Sequence, residues 1–186
     1  LKVDPLDIAT RHGLPDELLV LARLYPRDGW RGHENFSDLT AFWLERHMMF
    51  REVLSRIESA TEMHITRPQP RFGPEIARYT GFLLNQLHGH HGIEDQHYFP
   101  RLKLFDARLE RAFVMLDADH HALDRQIHGL AEATNHVLTR LNAGQSAEAG
   151  PLYDTQQSFA GFLDRHLSDE EEIVVPVLLE YGADFS

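Results

Sequence analysis

The chain has 186 residues, 42% of them hydrophobic, no cysteine and a formal charge of −11. That size supports one well-cored domain rather than two, the acidic balance argues against a nucleic-acid partner, and the lack of cysteine excludes disulfides, thiolate metal sites and a cysteine nucleophile. No apolar run approaches the ~20 residues that span a bilayer, and no basic-then-apolar signal pattern opens the chain, so a soluble cytoplasmic protein with no membrane partner is expected.

Residues 1–33 read as an N-terminal extension with a short helix from Pro15 to Leu24, expected to cap the rest, which runs from 34 to 186. Four long segments then carry apolar residues in steps of three and four, the period of a helix with one buried face. The first runs Phe36, Leu39, Trp43, His47, Phe50, Leu54, Ile57. The second runs Ile76, Thr80, Leu83, Leu87, His90, Glu94, His97, with Pro74 suited to its first turn. The third runs from Leu109 through Phe113, Leu116, His120, Leu123, Ile127 and Leu130 to Leu141. The fourth runs Leu152, Gln156, Phe159, Leu163, His166, Glu170, Ile173, Val177. The breaks at 66–73 and 142–150 are rich in proline, glycine and small polar residues. Short connections make consecutive helices antiparallel, so the expected fold is all-α, an up-down-up-down four-helix bundle with a short N-terminal helical extension.

Six residues of metal-ligand type recur in one order along these seams: His47, His90 and Glu94, then His120, His166 and Glu170. The second copy follows the first by 73 positions at the leading histidine and by 76 at the other two. Both copies read His-x3-Glu, a second acid, then Pro, with Asp95 and Pro100 in one and Glu171 and Pro176 in the other. Histidine and glutamate four apart stack on one helix face about 6 Å apart along the axis. All six therefore point inward, where an unpaired polar group costs roughly 1–3 kcal/mol. Pairing among themselves would satisfy some of them, and a shared metal pair would satisfy all.

The remaining histidines divide differently. His88, His91 and His121 fall beside the seam and are assigned to outer contacts or solvent, and His12, His33, His64, His128 and His136 to surface or packing. Trp43, Phe50, Phe99, Phe159 and Met48-Met49 read as core, and the acidic run 169–172 as a solvated face apart from Glu170.

Over roughly residues 34–181 the two His-x3-Glu segments ending in proline resemble the hemerythrin-like (HHE cation-binding) family. The resemblance implies a centre of two non-haem iron ions bridged by carboxylates, with zinc as a substitute, and an open position for dioxygen, peroxide or nitric oxide. Carried over by position, His47, His90, His120 and His166 look like terminal ligands, and Glu94 and Glu170 like bridges. The oxygen-carrying members have a further histidine where this chain has Leu116, and their last carboxylate lies five rather than four residues after its histidine. His97, on the seam one turn beyond Glu94, is expected to fill the vacancy. The functional expectation is a di-iron protein that binds or senses oxygen or iron. The alternatives are a di-iron oxidoreductase acting on peroxide or nitrogen oxides or supporting iron-centre repair, and a zinc-bound or metal-free structural bundle.

Overall fold

The computed structural model describes residues 4–182, and among these the regular structure is entirely helical. Helix α1 spans Asp38–Thr66 and α2 spans Phe72–Ile93, which continues as a π-helical turn, Glu94–Tyr98, into the short α3, Phe99–Leu102. Helices α4, Glu110–Asn142, and α5, Gly150–Tyr181, complete the set. The four long seams of the sequence are thus four long helices of an all-α bundle. None of the described helices is long and apolar enough to cross a membrane.

Local chemistry sets the ends. Ser37 caps α1, its Oγ accepting the Thr40 N–H at 3.2 Å. Helix α4 ends on Gly144, whose φ of +69° suits a residue without a Cβ. Beyond it the Gln145 N–H reaches back to the Arg140 carbonyl at 3.0 Å and the Gly144 N–H to that of Leu141, which satisfies two carbonyls left over at the helix end. The extension departs from the expected helix at Pro15–Leu24. It forms two 3₁₀ segments, Asp16–Leu18 and Arg27–Gly32, each entered from a proline in extended conformation. So short a stretch cannot repay helix nucleation, and single 3₁₀ turns are the usual substitute.

The chain divides into two compact units, and each long helix contributes a segment to both. The first comprises residues 1–47, 91–122 and 164–186. Its core gathers Trp43, Phe99, Leu102, Leu109, Phe113, Leu116, Ile173 and Val177, with Leu18, Leu21 and Trp30 of the extension buried among them. The extension therefore packs on this unit as a cap. Within it α5 runs against α1, because Asn35 Nδ2 donates to the Leu179 carbonyl at 2.7 Å while His47 meets Glu171. It also runs against α4, because Tyr181 meets Asp106 while His166 meets Asp119.

The second unit comprises residues 48–90 and 123–163. Phe50, Leu54, Leu83, Leu87, Leu130 and Phe159 are buried in it. One polar pair crosses this interior: Gln156 Nε2 donates to Thr61 Oγ1 at 2.9 Å, both residues being fully buried. The antiparallel order holds here too, since Gln157 Nε2 reaches Glu58 at 2.9 Å.

Two predictions follow from these contacts. Thr61→Val leaves the Gln156 amide buried without its acceptor and lowers unfolding stability by about 1–3 kcal/mol, whereas Thr61→Val with Gln156→Leu recovers most of it; urea unfolding of the single and double variants reads the difference. Asp106 accepts from the Arg108 backbone N–H at 3.0 Å, the Arg108 guanidinium at 2.6 Å and the Tyr181 hydroxyl at 3.0 Å. The Arg108 guanidinium leads in holding its carboxyl down to about 2, below the ordinary 3.8. A depressed carboxylate stabilises the fold above the unfolded value and loses that contribution as pH falls through the folded one. Asp106→Asn should therefore flatten the stability–pH curve between 3.8 and about 2, measured by urea midpoints at each end.

Candidate metal centre

Five of the six expected ligands meet inside the first unit. His47 on α1, His120 on α4, His166 and Glu170 on α5 and Glu94 at the head of the π turn are all buried, none more than 3% exposed. Their functional atoms converge. His166 Nε2 lies 3.1 Å from Glu170 Oε2 and 3.2 Å from His120 Nε2. His120 Nε2 lies 3.6 Å from Glu94 Oε2, and His47 Nε2 3.8 Å from Glu170 Oε2. One donor atom each from Glu94, His120 and Glu170 fits within 4.8 Å of the others. His90, the sixth, ends the segment 48–90 of the second unit and is buried edge-on against Phe50 with ring centroids 5.2 Å apart. It stands one helical turn before Glu94 along the chain.

The outer edge of each inner ring is held by a carboxylate. His47 Nδ1 is 2.9 Å from Glu171 Oε1, His120 Nδ1 is 2.7 Å from Asp95 Oδ1, and His166 Nδ1 is 3.4 Å from Asp119 Oδ2. A carboxylate accepts, so each Nδ1 carries the proton and donates, which leaves each Nε2 as a lone pair facing the centre. The duplicated acid after each glutamate explains itself here. Asp95, beside Glu94, orients the histidine of the second copy, and Glu171, beside Glu170, orients that of the first. The acidic run 169–172 is therefore not a solvated face, because Asp169 and Glu171 are 1% and 3% exposed. Trp43 is likewise more than packing: its indole N–H donates to Glu94 Oε1 at 2.6 Å.

Two histidines change places relative to expectation. His97 is exposed and belongs to none of the donor groups, so it does not fill the corner left by Leu116. The cause is the π turn, in which the Phe99 N–H reaches back five residues to the Glu94 carbonyl. That wider turn holds more residues than an α turn, so each position after Glu94 advances less round the helix than the α-helical period assumes, and Phe99 faces the core while His97 faces out. His91 is the residue that moves in. It is 4% exposed, stacks on His120 at 4.1 Å between centroids, and meets His166 edge-on at 5.3 Å. One ring nitrogen each of His91, His120 and His166 lies within 4.8 Å of the others. The signal was present in the spacing, since Leu87 to His91 is four and His91 to Glu94 is three, as good a helical path as that through His90. His88 and His121 are exposed, as assigned.

The donor set fits a cation on electrostatic grounds. His120 and His166 present two lone pairs to each other at 3.2 Å. Glu170 is fully buried, neither of its oxygens accepts a hydrogen bond among the described residues, and its carboxyl is pushed well above the ordinary range by burial and then by the charge of Glu94. Nitrogen and carboxylate oxygen, with no thiolate, is a donor chemistry suited to a first-row divalent metal. A positive charge at this point relieves both conflicts at once.

Compared with known protein families, residues 38–183 match the hemerythrin HHE cation-binding domain. Among curated proteins and among solved structures nothing matches the chain. The matched span covers most of the chain and contains every residue of the centre, and the chain therefore belongs to the hemerythrin HHE cation-binding domain family.

Proposed function

We propose that the protein is a non-haem di-iron protein that binds dioxygen or a related small ligand. The observation that carries this reading is the convergence of Glu94, Glu170, His120 and His166 on one buried point with carboxylates behind the rings. On this reading Glu94 and Glu170 would help to hold both ions. His91, His120 and His166 would serve one, and His47 would serve the other. Imidazole with carboxylate ligation suits redox-active iron, and zinc remains its substitute in such a donor set. Bound iron would supply reversible one-electron redox change and a position for an exogenous ligand.

The chain's own residues shape what that ligand can be. A cavity of about 20 Å³ lies beside Glu94, lined by Leu39, Trp43, Tyr98, Phe99, Leu102 and Val174 among others. That room is enough for roughly one water-sized molecule, and its lining is almost wholly apolar. Size and polarity favour a diatomic or a similarly small ligand over an organic substrate. Trp43 keeps one Glu94 oxygen engaged at 2.6 Å, so the carboxylate is held in place at the cavity wall.

Anaerobic reconstitution with Fe(II) followed by desalting should retain roughly two irons per chain, with new charge-transfer absorption on admitting air. Retention of zinc alone, or of no metal, overturns the reading. Glu170→Ala should abolish retention. His91→Ala should reduce it to about one iron per chain by removing a ligand from one ion only, while His97→Ala should match the wild type; equal loss in both variants would remove His91 from the ligand set.

A further inference from the structure

The extension lies outside the matched family span, yet it reaches the outer carboxylates of the centre. Arg11, only 5% exposed, grips Asp119 with both ends of its guanidinium: Nη2 donates to Oδ2 at 2.6 Å and Nη1 to Oδ1 at 3.2 Å. Its Nε donates to Asp169 at 2.7 Å, and its Nη1 also bonds the Leu6 carbonyl. Arg165 of α5 ties the same segment down by donating to the His12 carbonyl at 3.0 Å and to Asp169 at 2.9 Å. Further along the extension, Arg27 places Nη1 2.6 Å from Glu171 and Nη2 3.0 Å from Glu172. Arg27 is itself stacked over Trp30, which anchors the segment in the core.

Asp119 and Glu171 are the acceptors behind His166 and His47. A two-pronged guanidinium grip fixes the plane of a carboxylate as well as its position, which a single point charge does not. The third outer acceptor, Asp95 behind His120, is 35% exposed at its side chain and so is left to solvent in part. The extension thus supports two inner histidines from behind.

We propose that residues 4–33 form a positioning strap, in which Arg11 and Arg27 hold the carboxylates that orient His166 and His47 and thereby set how tightly the centre retains metal. The consequence for metal rests on the di-iron reading, whereas the effect on the rings does not. Arg11 and Arg27 are positioning residues, acting through Asp119 and Glu171. Loss of the carboxylates behind such ligands costs about 10–100-fold in metal affinity, and freeing them by removing their arginines is expected to approach that cost.

The test uses the full chain. In the metal-free protein, the ring Nδ1–H resonances of His47, His120 and His166 report the three orienting bonds. In the Fe(II)-loaded protein, chelator competition reports affinity. Arg27 is 48% exposed at its side chain, so Arg27→Met is the variant that keeps the fold, checked by an unchanged melting temperature. It should shift the His47 signal, leave that of His120 in place, and weaken Fe(II) binding by about 10–100-fold, with partial rescue in Arg27→Lys. Arg11→Met should do the same to the His166 signal. A folded Arg27→Met with an unmoved His47 signal, or with wild-type Fe(II) affinity, overturns the strap. Wild-type protein that takes up no Fe(II) overturns the di-iron reading and with it the strap's effect on metal, while the His47 and His166 signals of the metal-free variants still decide whether the arginines hold the rings.

Discussion

Two glutamates placed against each other in a dry interior are the constraint around which the first unit is built. At an effective dielectric near 20, two like charges about 4 Å apart repel by about 4 kcal/mol, a large fraction of the roughly 5–15 kcal/mol that holds a domain folded. The fold sets histidine at the inner face of that conflict. It surrounds Glu94 and Glu170 with imidazole lone pairs, which add electron density where positive charge is already wanting. A domain of ordinary stability keeps such an arrangement only with a cation or bound protons there, and the raised Glu170 carboxyl marks the point where the deficit is concentrated.

The sequence duplication translates into reciprocal support. In each copy the glutamate faces inward while the acid that follows it turns toward the leading histidine of the other copy: Glu171 to His47, Asp95 to His120. Successive helical residues differ by about 100° in direction, so a Glu-acid pair can address an inner point and a neighbouring helix at once. Each copy therefore lacks the orienting acceptor for its own leading histidine and depends on the other, whereas His166 is oriented from within its own copy by Asp119. The departure at the fourth helix is resolved by the same geometry, because Glu170, four after His166, faces inward and Glu171, five after it, stands behind a ring.

The four long helices and the inner glutamates were legible because both rest on steps of three and four residues, which survive any detail of packing. The assignments of His91 and His97 failed for one local reason. Propagating an α-helical period past Glu94 gives the wrong face once the backbone takes a π turn, and nothing in the residues Glu94 to Tyr98 announces that turn. Asp169 and Glu171 were misread because charge is ordinarily a sign of exposure, a rule that fails where arginines from a distant segment neutralise the acids. Arg11 itself carried no local pattern, since its partner Asp119 is 108 positions away. Contacts of that separation are set by tertiary packing and leave no periodicity to read.

The two halves are alike in plan but not in chemistry. The 76-residue offset places Leu167, fully buried, where the first copy has His91, and Ile173 where it has His97. Only one side of the glutamate pair therefore receives the extra imidazole, and the strap's arginines stand behind His47 and His166 but not in the same manner, one half-exposed and one sealed. In a di-iron reading the ion beside His91, His120 and His166 would be the more nitrogen-rich, and the one beside His47 the poorer. A vacant position for an exogenous ligand falls more naturally on the poorer ion. Trp43 packs against His47 with ring centroids 4.2 Å apart and planes tilted by 50°, and it also lines the small apolar cavity by Glu94, so the cavity and the less saturated side of the centre share a wall. The asymmetry that broke the sequence repeat is thus what would distinguish a ligand-binding ion from a supporting one.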